Sequence, residues 1–370
     1  INTNGMICTM EAMVRDCYRF LQHTPPVVLD WAPWNHTAAG NKVFYLVMTN
    51  GGTYYIDDGK PAPGAIAETI RNLREISCTW YFNVPVGWDA LVEELEADDA
   101  LARTFFADLS MMFYAGAGMA QHTWDRLRAI GRKTTGREVL LSSSLGSTET
   151  APFALSCTTV QEKSGNVGVP AKGLSMKLVP NGGKLELRLK GPSITPGYLN
   201  DPAKTAEAFD EEGYYKMGDA LRPADPGDFS KGFFFDGRVA ENFKLNTGTW
   251  VAVGAVRAAL VDAMGGLIRD AVIVGEDAAE VGALLILSDR AQAMDADRRT
   301  AALTDKLKAA AAKATGSATR VRRAVVLEQE PSFDLGEVTE KGSLNQRALR
   351  ANHADLVAAM YAGEGPVIKA

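Results

Sequence analysis

The chain has 370 residues, 46% hydrophobic and 23% charged, which are ordinary globular proportions with ample material for a sizeable core. Its net charge of −6 comes from acidic and basic residues interspersed along the sequence, and the absence of a basic stripe sets nucleic acid aside as a partner. Four widely spaced cysteines, Cys8, Cys17, Cys78 and Cys157, form no C-x-x-C pair, which argues against a zinc ribbon or a disulfide scaffold and fits a reducing cytoplasm.

The sequence opens at Ile1, without a signal peptide, in a polar turn leading into a helix (INTNGMICTMEAM), and reads as a segment of a longer polypeptide. From 65 to 145 helix and strand alternate. Residues 65–77 have helical spacing, 78–84 (CTWYFNV) is a β-rich run, and 88–107 is a charged helix. A second apolar run follows at 109–115 (LSMMFYA), then a helix at 119–132 and a strand at 138–142 (EVLLS). Such alternation implies βαβ units and a mainly parallel sheet. After 165 the texture changes. SMKLVPNGGKLELRLKG reads as two strands joined by an Asn-Gly-Gly turn, and Gly, Pro and Asp punctuate short β pieces up to 236, as in an antiparallel β subdomain.

Beyond 239 lies a third texture: a helix at 252–264, strands at 270–275 and 281–288, a helix at 299–314, a strand at 321–327 and a helix at 344–361. This is a compact α+β unit, large enough to be its own domain. The expected fold class is therefore α/β, with a large lobe over 1–238 and a small α+β domain over 239–370, divided in the polar segment FDGRVAEN. The longest apolar runs, such as 282–288 (GALLILS), are strand length, so no membrane partner is expected.

Two stretches point to nucleotide chemistry. LSSSLGSTE at 141–149 places small residues and hydroxyls just after a strand. Thr148 there offers a hydroxyl donor and Glu149 a hard oxygen ligand for Mg²⁺. Ligands of parallel sheets sit at the carboxyl ends of strands, so the location suits a site; taken alone, the same residues describe an ordinary turn with a solvated glutamate. GYYKMGDA at 213–220 is followed by FFFDGRV at 233–239. Asp219 could accept both hydroxyls of a ribose, and Arg238 offers a planar donor fork for hydroxyls or phosphate. The bland alternative is a surface ion pair between β turns.

In this order and spacing the chain resembles the acyl-adenylate-forming superfamily of acyl-CoA synthetases, peptide-synthetase adenylation domains and beetle luciferases. LGSTE is similar to that family's Y-G-x-T-E element, YYKMGD to its (R/K)-T-G-D element and GRVAENFKLNTG to its G-R-x-x-D-x-x-K-x-x-G element. KLELRLKGPSITPGYLNDPAKTAEAF is similar to its G-E-L strand pair ending in G-Y. A closer resemblance, to bacterial feruloyl-CoA synthetases, rests on DWAPWNHTAAGN, NGGTYYIDDGKPAPG, REISCTWYFNVP, FYAGAGMAQHTWD, LGSTETAPFA and EVTEKGSLNQRA.

The resemblance implies an adenylation lobe followed by a mobile C-terminal lid, cytoplasmic, active in aromatic acid catabolism, with ATP, Mg²⁺ and coenzyme A as cofactors. It assigns Thr148 and Glu149 to the phosphates and the metal, and Asp219 to the ribose with support from Arg238. Gly116, Ala117 and Gly118 form the floor of the adenine and acyl sites, beside Leu145, Gly146 and Ser147. Lys244 lies in the nucleotide-binding G-R element, and Lys341 is the mobile lysine that touches the carboxylate and α-phosphate. Trp34 and His36 line the acyl pocket, where an aromatic acid gains from stacking; without the family context His36 reads as a core histidine.

The chain departs from the pattern in places. The phosphate-cradling loop T-S-G-S-T-G-x-P-K is absent, INTNG resembling the stretch that follows it. Since such a loop binds phosphates through backbone N–H groups and hydroxyls, the segment alone is expected to release little or no pyrophosphate from ATP and ferulate. Leu145 replaces an adenine-stacking tyrosine, Ala240 an acidic hinge residue in the hinge around Val239–Ala240–Glu241, and TEKGS a T-G-K. Asn246–Thr247–Gly248 is one residue longer than the usual turn. An adenylation domain loading a carrier thiol, and a non-catalytic binding relative, stay open as alternatives.

Overall fold

The computed structural model describes residues 1–62, 64–181, 183–338 and 344–370. The chain divides into two compact units, one of residues 1–179 with 185–235 and the other of 180–184 with 236–370.

In the first unit helix α1 (Asn4–Cys17) is started by Thr3, whose side chain accepts from the Met6 amide. Strand β1 (Val27–Asp30) pairs in parallel with β2 (Thr53–Ile56). Between them a π-helical turn, Ala38–Val43, runs directly into α2 (Phe44–Thr49). Next come α3 (Ile66–Leu73), β3 (Trp80–Asn83), α4 (Pro85–Ala97), α5 (Asp99–Phe106), β4 (Met111–Tyr114), α6 (Gln121–Thr135) and β5 (Leu140–Leu145). Strands β3, β4 and β5 are parallel, Trp80 lying opposite Met111 and Met111 opposite Leu140, as the alternation of elements predicts. The short strands β6 (Leu155–Ser156) and β7 (Val169–Pro170) extend this sheet antiparallel.

Because side chains alternate across a strand, the sheet feeds two cores. Tyr81, Met112 and Tyr114 join Trp88, Leu91, Phe105 and Leu127 of the helices on one face. Trp80, Phe82, Met111 and Phe113 join Met10, Val14 and Leu46 on the other. The single helix expected over 88–107 is two helices. Asp98 breaks it, its carboxylate accepting from the amides of Ala100 and Leu101 and so starting α5 afresh.

The antiparallel β subdomain is present as expected: β8 (Ser175–Asn181), β9 (Lys184–Lys190), β10 (Tyr215–Pro223) and β11 (Phe233–Arg238) lie in the order β11-β10-β9-β8. Helix α7 (Pro202–Ala208) leads back toward β10.

The second unit begins with the hairpin β12 (Phe243–Lys244) and β13 (Trp250–Val251). It continues through α8 (Val253–Ala263), β14 (Ile268–Val274), β15 (Val281–Leu287), α9 (Asp289–Gln292), α10 (Ala296–Lys313), β16 (Val321–Val326), α11 (Gln346–Asn352), α12 (Ala354–Ala362) and β17 (Ile368–Lys369). Its sheet has the order β14-β15-β16-β17. Every residue of β15 is buried, Ala283 and Leu285 facing one core with α8 and α10, Leu284 and Ile286 facing another with α11 and α12. The helix expected over 344–361 is also interrupted. His353 leaves helical geometry (φ −112°, ψ 27°), while Asn352 turns its amide to Glu337 and the Leu335 carbonyl. Among the described residues, no helix is long and apolar enough to cross a membrane.

Candidate functional site

Strand β5 ends at Leu145, and the chain turns through Gly146 and Ser147 into a 3-10 turn at Thr148–Thr150. A Cβ at Gly146 would stand 2.5 Å from the Pro152 carbonyl, so only glycine lets the returning loop close. Thr150 Oγ1 accepts from the Ser147 amide at 2.9 Å and fixes the turn. Thr148 is exposed and Glu149 half-buried. The start of the chain lies alongside, Asn2 Nδ2 donating to the Thr148 carbonyl at 2.9 Å and Asn41 Nδ2 to Asn2 Oδ1 at 2.9 Å.

The Glu149 carboxylate is held by residues from two other stretches. Tyr198 donates its hydroxyl to Oε1 at 3.0 Å, and the Thr195 amide donates to the Glu149 carbonyl at 2.8 Å. Burial works to raise the carboxyl, but hydrogen bonds from its own backbone and from the hydroxyls of Tyr198 and Tyr215 outweigh it and hold Glu149 below its ordinary value. Tyr215, the first residue of β10, is buried, and burial followed by the Glu149 charge pushes its phenol well up. Stretches 145–149, 191–200 and 213–220 thus meet at one ionised carboxylate. The sequence reading gives neither tyrosine a site role; the available signal is their place in TPGY and GYY.

Asp219 lies on β10 four residues beyond Tyr215 and is 4% exposed. It follows Gly218, at φ +74°, where the ladder with β9 slips between Lys216 and Ala220. Such a bulge re-aims a side chain. Gly116, Ala117 and Gly118 form an exposed loop after β4. Gly116 has φ +92°, which demands glycine. At Gly118 a Cβ would meet nothing of the chain within 4 Å, so its smallness answers to no packing need.

Trp34 is exposed, its ring 5.4 Å from Phe44 and 6.0 Å from Tyr54. Its Nε1 donates to the Tyr54 hydroxyl at 3.1 Å, which donates to Asp30 Oδ2 at 2.7 Å. Burial raises the Asp30 carboxyl to about 6 against the hydrogen bonds from Tyr54 and Ala32. His36 is half-buried, and its Nδ1 accepts from the Ala38 amide at 3.1 Å, capping the π-helical turn.

In the second unit Arg238 ends β11 and is exposed. It leaves the strand just after Gly237, at φ +79°. A Cβ on Gly254 would stand 2.6 Å from the Gly237 Cα, so this glycine pair lets two backbones touch and sets where Arg238 departs. The buried Lys184 lies 3.7 Å from Asp236 and also donates to its carbonyl; burial lowers the lysine although Asp236 and Glu241 act to raise it. Residues Val239–Glu241 form a short 3-10 turn. Lys244 is exposed, with Nζ 5.0 Å from the Trp250 ring centroid. Lys341 lies outside the described residues. Among the described residues no three His, Cys, Asp or Glu side chains could hold a metal by themselves. A Mg²⁺ at Glu149 therefore fits only as an ion completed by other oxygens, such as those of a nucleotide's phosphates.

Residues 1–199 match the family described as AMP-binding enzyme, and residues 245–365 match the AMP-binding enzyme C-terminal domain. The chain is 25% identical over 362 residues to the carboxylic acid reductase of Mycobacterium marinum, spanning 92% of this chain and 30% of that protein. It is 30% identical over 197 residues to the feruloyl-CoA synthase of an Amycolatopsis species, spanning 51% of this chain and 37% of that one. Its fold is similar to the A-PCP didomain of carboxylic acid reductase from Segniliparus rugosus, a structure in complex with AMP, with a TM-score of 0.76 at 18% identity over 97% of this chain and 51% of that one.

Proposed function

The chain belongs to the AMP-binding enzyme family, and from that premise we propose that it forms the larger part of an ATP-dependent acid–thiol ligase, which activates an aromatic carboxylic acid as an acyl-adenylate and passes it to coenzyme A. One observation carries this reading: three separate stretches converge on the Glu149 carboxylate through Tyr198 and Tyr215. A carboxylate is a poor electrophile. Attack of its oxygen on the α-phosphorus of ATP breaks the bond to the β-phosphate, giving a mixed anhydride and pyrophosphate. The thiol of coenzyme A then adds to the carbonyl, its proton passes to solvent, and AMP leaves.

Acid and triphosphate are both anionic, so their approach has to be screened. Glu149, kept ionised by its hydroxyl partners, is suited to hold a Mg²⁺ shared with the phosphates, which when bound supplies that neutralisation. Thr148 donates to a phosphate oxygen, Asp219 accepts from the ribose hydroxyls, and Arg238 and Lys244 support the same nucleotide. The loops Gly116–Gly118 and Leu145–Ser147 give backbone room for adenine and the acyl group, bordered by Trp34 and His36. Lys341 is assigned the carboxylate and α-phosphate. Positioning supplies much of the remaining rate.

Similarity to a feruloyl-CoA synthase supports a hydroxycinnamate such as ferulate as the acid. A second reading, an adenylation domain that loads a carrier thiol for a reductase, is favoured by the 92% span of the reductase match. ATP–pyrophosphate exchange tests both, in a polypeptide that supplies a phosphate loop ahead of Ile1. Exchange driven by hydroxycinnamates, with acyl-CoA formed on adding coenzyme A, is the expected result. Exchange driven only by medium-chain fatty acids would remove the aromatic assignment, and adenylate formation without transfer to coenzyme A would turn the reading to a carrier thiol.

A further inference from the structure

Lys42 lies in the π-helical turn Ala38–Val43 and is 3% exposed. Such turns are rare and concentrate at functional positions. The Nζ stands 3.3 Å from Ser144 Oγ and 3.5 Å from the Tyr18 hydroxyl. Ring centroids lie around it, Phe113 at 3.8 Å, Phe153 at 4.8 Å and Tyr18 at 5.6 Å. Among the described residues Lys42 forms no ion pair. The buried Glu11 acts on it at longer range and hydrogen-bonds Thr49 instead. Methionine or leucine would fill this apolar layer at less cost than a desolvated amine, so packing alone does not explain the residue.

Its place in the sheet does. Phe113 is the penultimate residue of β4 and Ser144 that of β5. These parallel strands run toward the loops Gly116–Gly118 and Gly146–Glu149, and ligands of parallel sheets bind beyond such strand ends. A flat ring entering there would meet aromatic faces, with an N–H donor and two hydroxyls beyond them. A second carboxylate would call for a permanently charged donor fork, whereas burial lowers Lys42 to about 7, which suits a neutral phenol.

Building on the aryl-acid ligase reading, we propose that Lys42 selects the acid by donating to a phenolic oxygen at the end of the ring opposite the carboxylate, with the Ser144 or Tyr18 hydroxyl oxygen accepting a hydrogen bond from the phenol O–H. The test compares 4-hydroxycinnamate, 4-carboxycinnamate and unsubstituted cinnamate in wild type and Lys42→Met, in a polypeptide that supplies the phosphate loop. The expected result is a fall of at least tenfold in kcat/KM for the hydroxylated acid, mostly in KM, with cinnamate unchanged or better. Ser144→Ala should move the ratio of KM values for 4-hydroxycinnamate and cinnamate the same way more weakly, and it serves if the methionine variant does not fold. An equal loss for both acids, an unmoved preference, or a wild type that favours the carboxylated acid would overturn the assignment while leaving the ligase reading intact. A wild type that activates no aryl acid overturns the ligase reading, and the role of Lys42 with it.

Discussion

Glu149→Gln should lower ATP–pyrophosphate exchange by about 10²–10³-fold, with the thermal midpoint nearly unchanged. Glutamine keeps the size of the side chain and an oxygen to accept from Tyr198, so the turn at Thr148–Thr150 has no reason to move. What disappears is a full negative charge, and the structure is arranged to preserve that charge. Burial favours the neutral acid, yet the surrounding hydroxyls and backbone reverse the balance and leave the carboxyl below its ordinary value. A group shifted down stays ionised through the whole neutral range, so Glu149 should contribute no acid limb to the wild-type rate above about pH 5. Exchange within threefold of wild type for the glutamine variant would remove Glu149 from the metal and phosphate chemistry.

Lys42→Met should raise stability on the order of 3 kcal/mol at pH 7, seen as a thermal midpoint higher by several degrees. The sign follows from the direction of the shift. Lys42 is lowered from 10.5 to about 7, mainly by burial, so the unfolded chain binds its proton more tightly than the folded one. The resulting penalty is fully present below pH 7 and disappears as pH rises toward 10.5. Wild type should therefore gain on the variant across that window. Glu11 works in the opposite sense. Burial raises it to about 7, so its penalty grows from pH 4.5 to 7, and wild-type stability should pass through a shallow minimum near neutrality. A methionine variant less stable than wild type at pH 7, or an advantage that grows toward pH 10, would contradict this account of the buried lysine.

The parallel sheet is legible in the sequence because β3 and β4 are buried on both faces and stand out as unbroken apolar runs. Strand β2, equally short, leaves a weaker trace because it is mostly exposed. Both helix breaks are missed for a common reason: apolar spacing runs through Asp98 and His353, while the interruption comes from local hydrogen bonds that periodicity does not record. The site divides in the same way. Glu149 and Asp219 are legible from their motifs. The acidity of Glu149 is not, because it depends on Tyr198, 49 positions away, and on Tyr215. Lys42, between Asn41 and Val43, reads as an ordinary polar spot; only the wide π turn sends its amine inward.

The two tyrosines that flank Glu149 also bear on how this chain can be recombined with its relatives. A crossover anywhere between 150 and 197 would take the acidic residue from one parent and the phenols that tune it from the other. Such hybrids could fold with intact strands and still inherit a mismatched proton affinity at the carboxylate, so exchange blocks are better drawn with 145–220 kept from a single source.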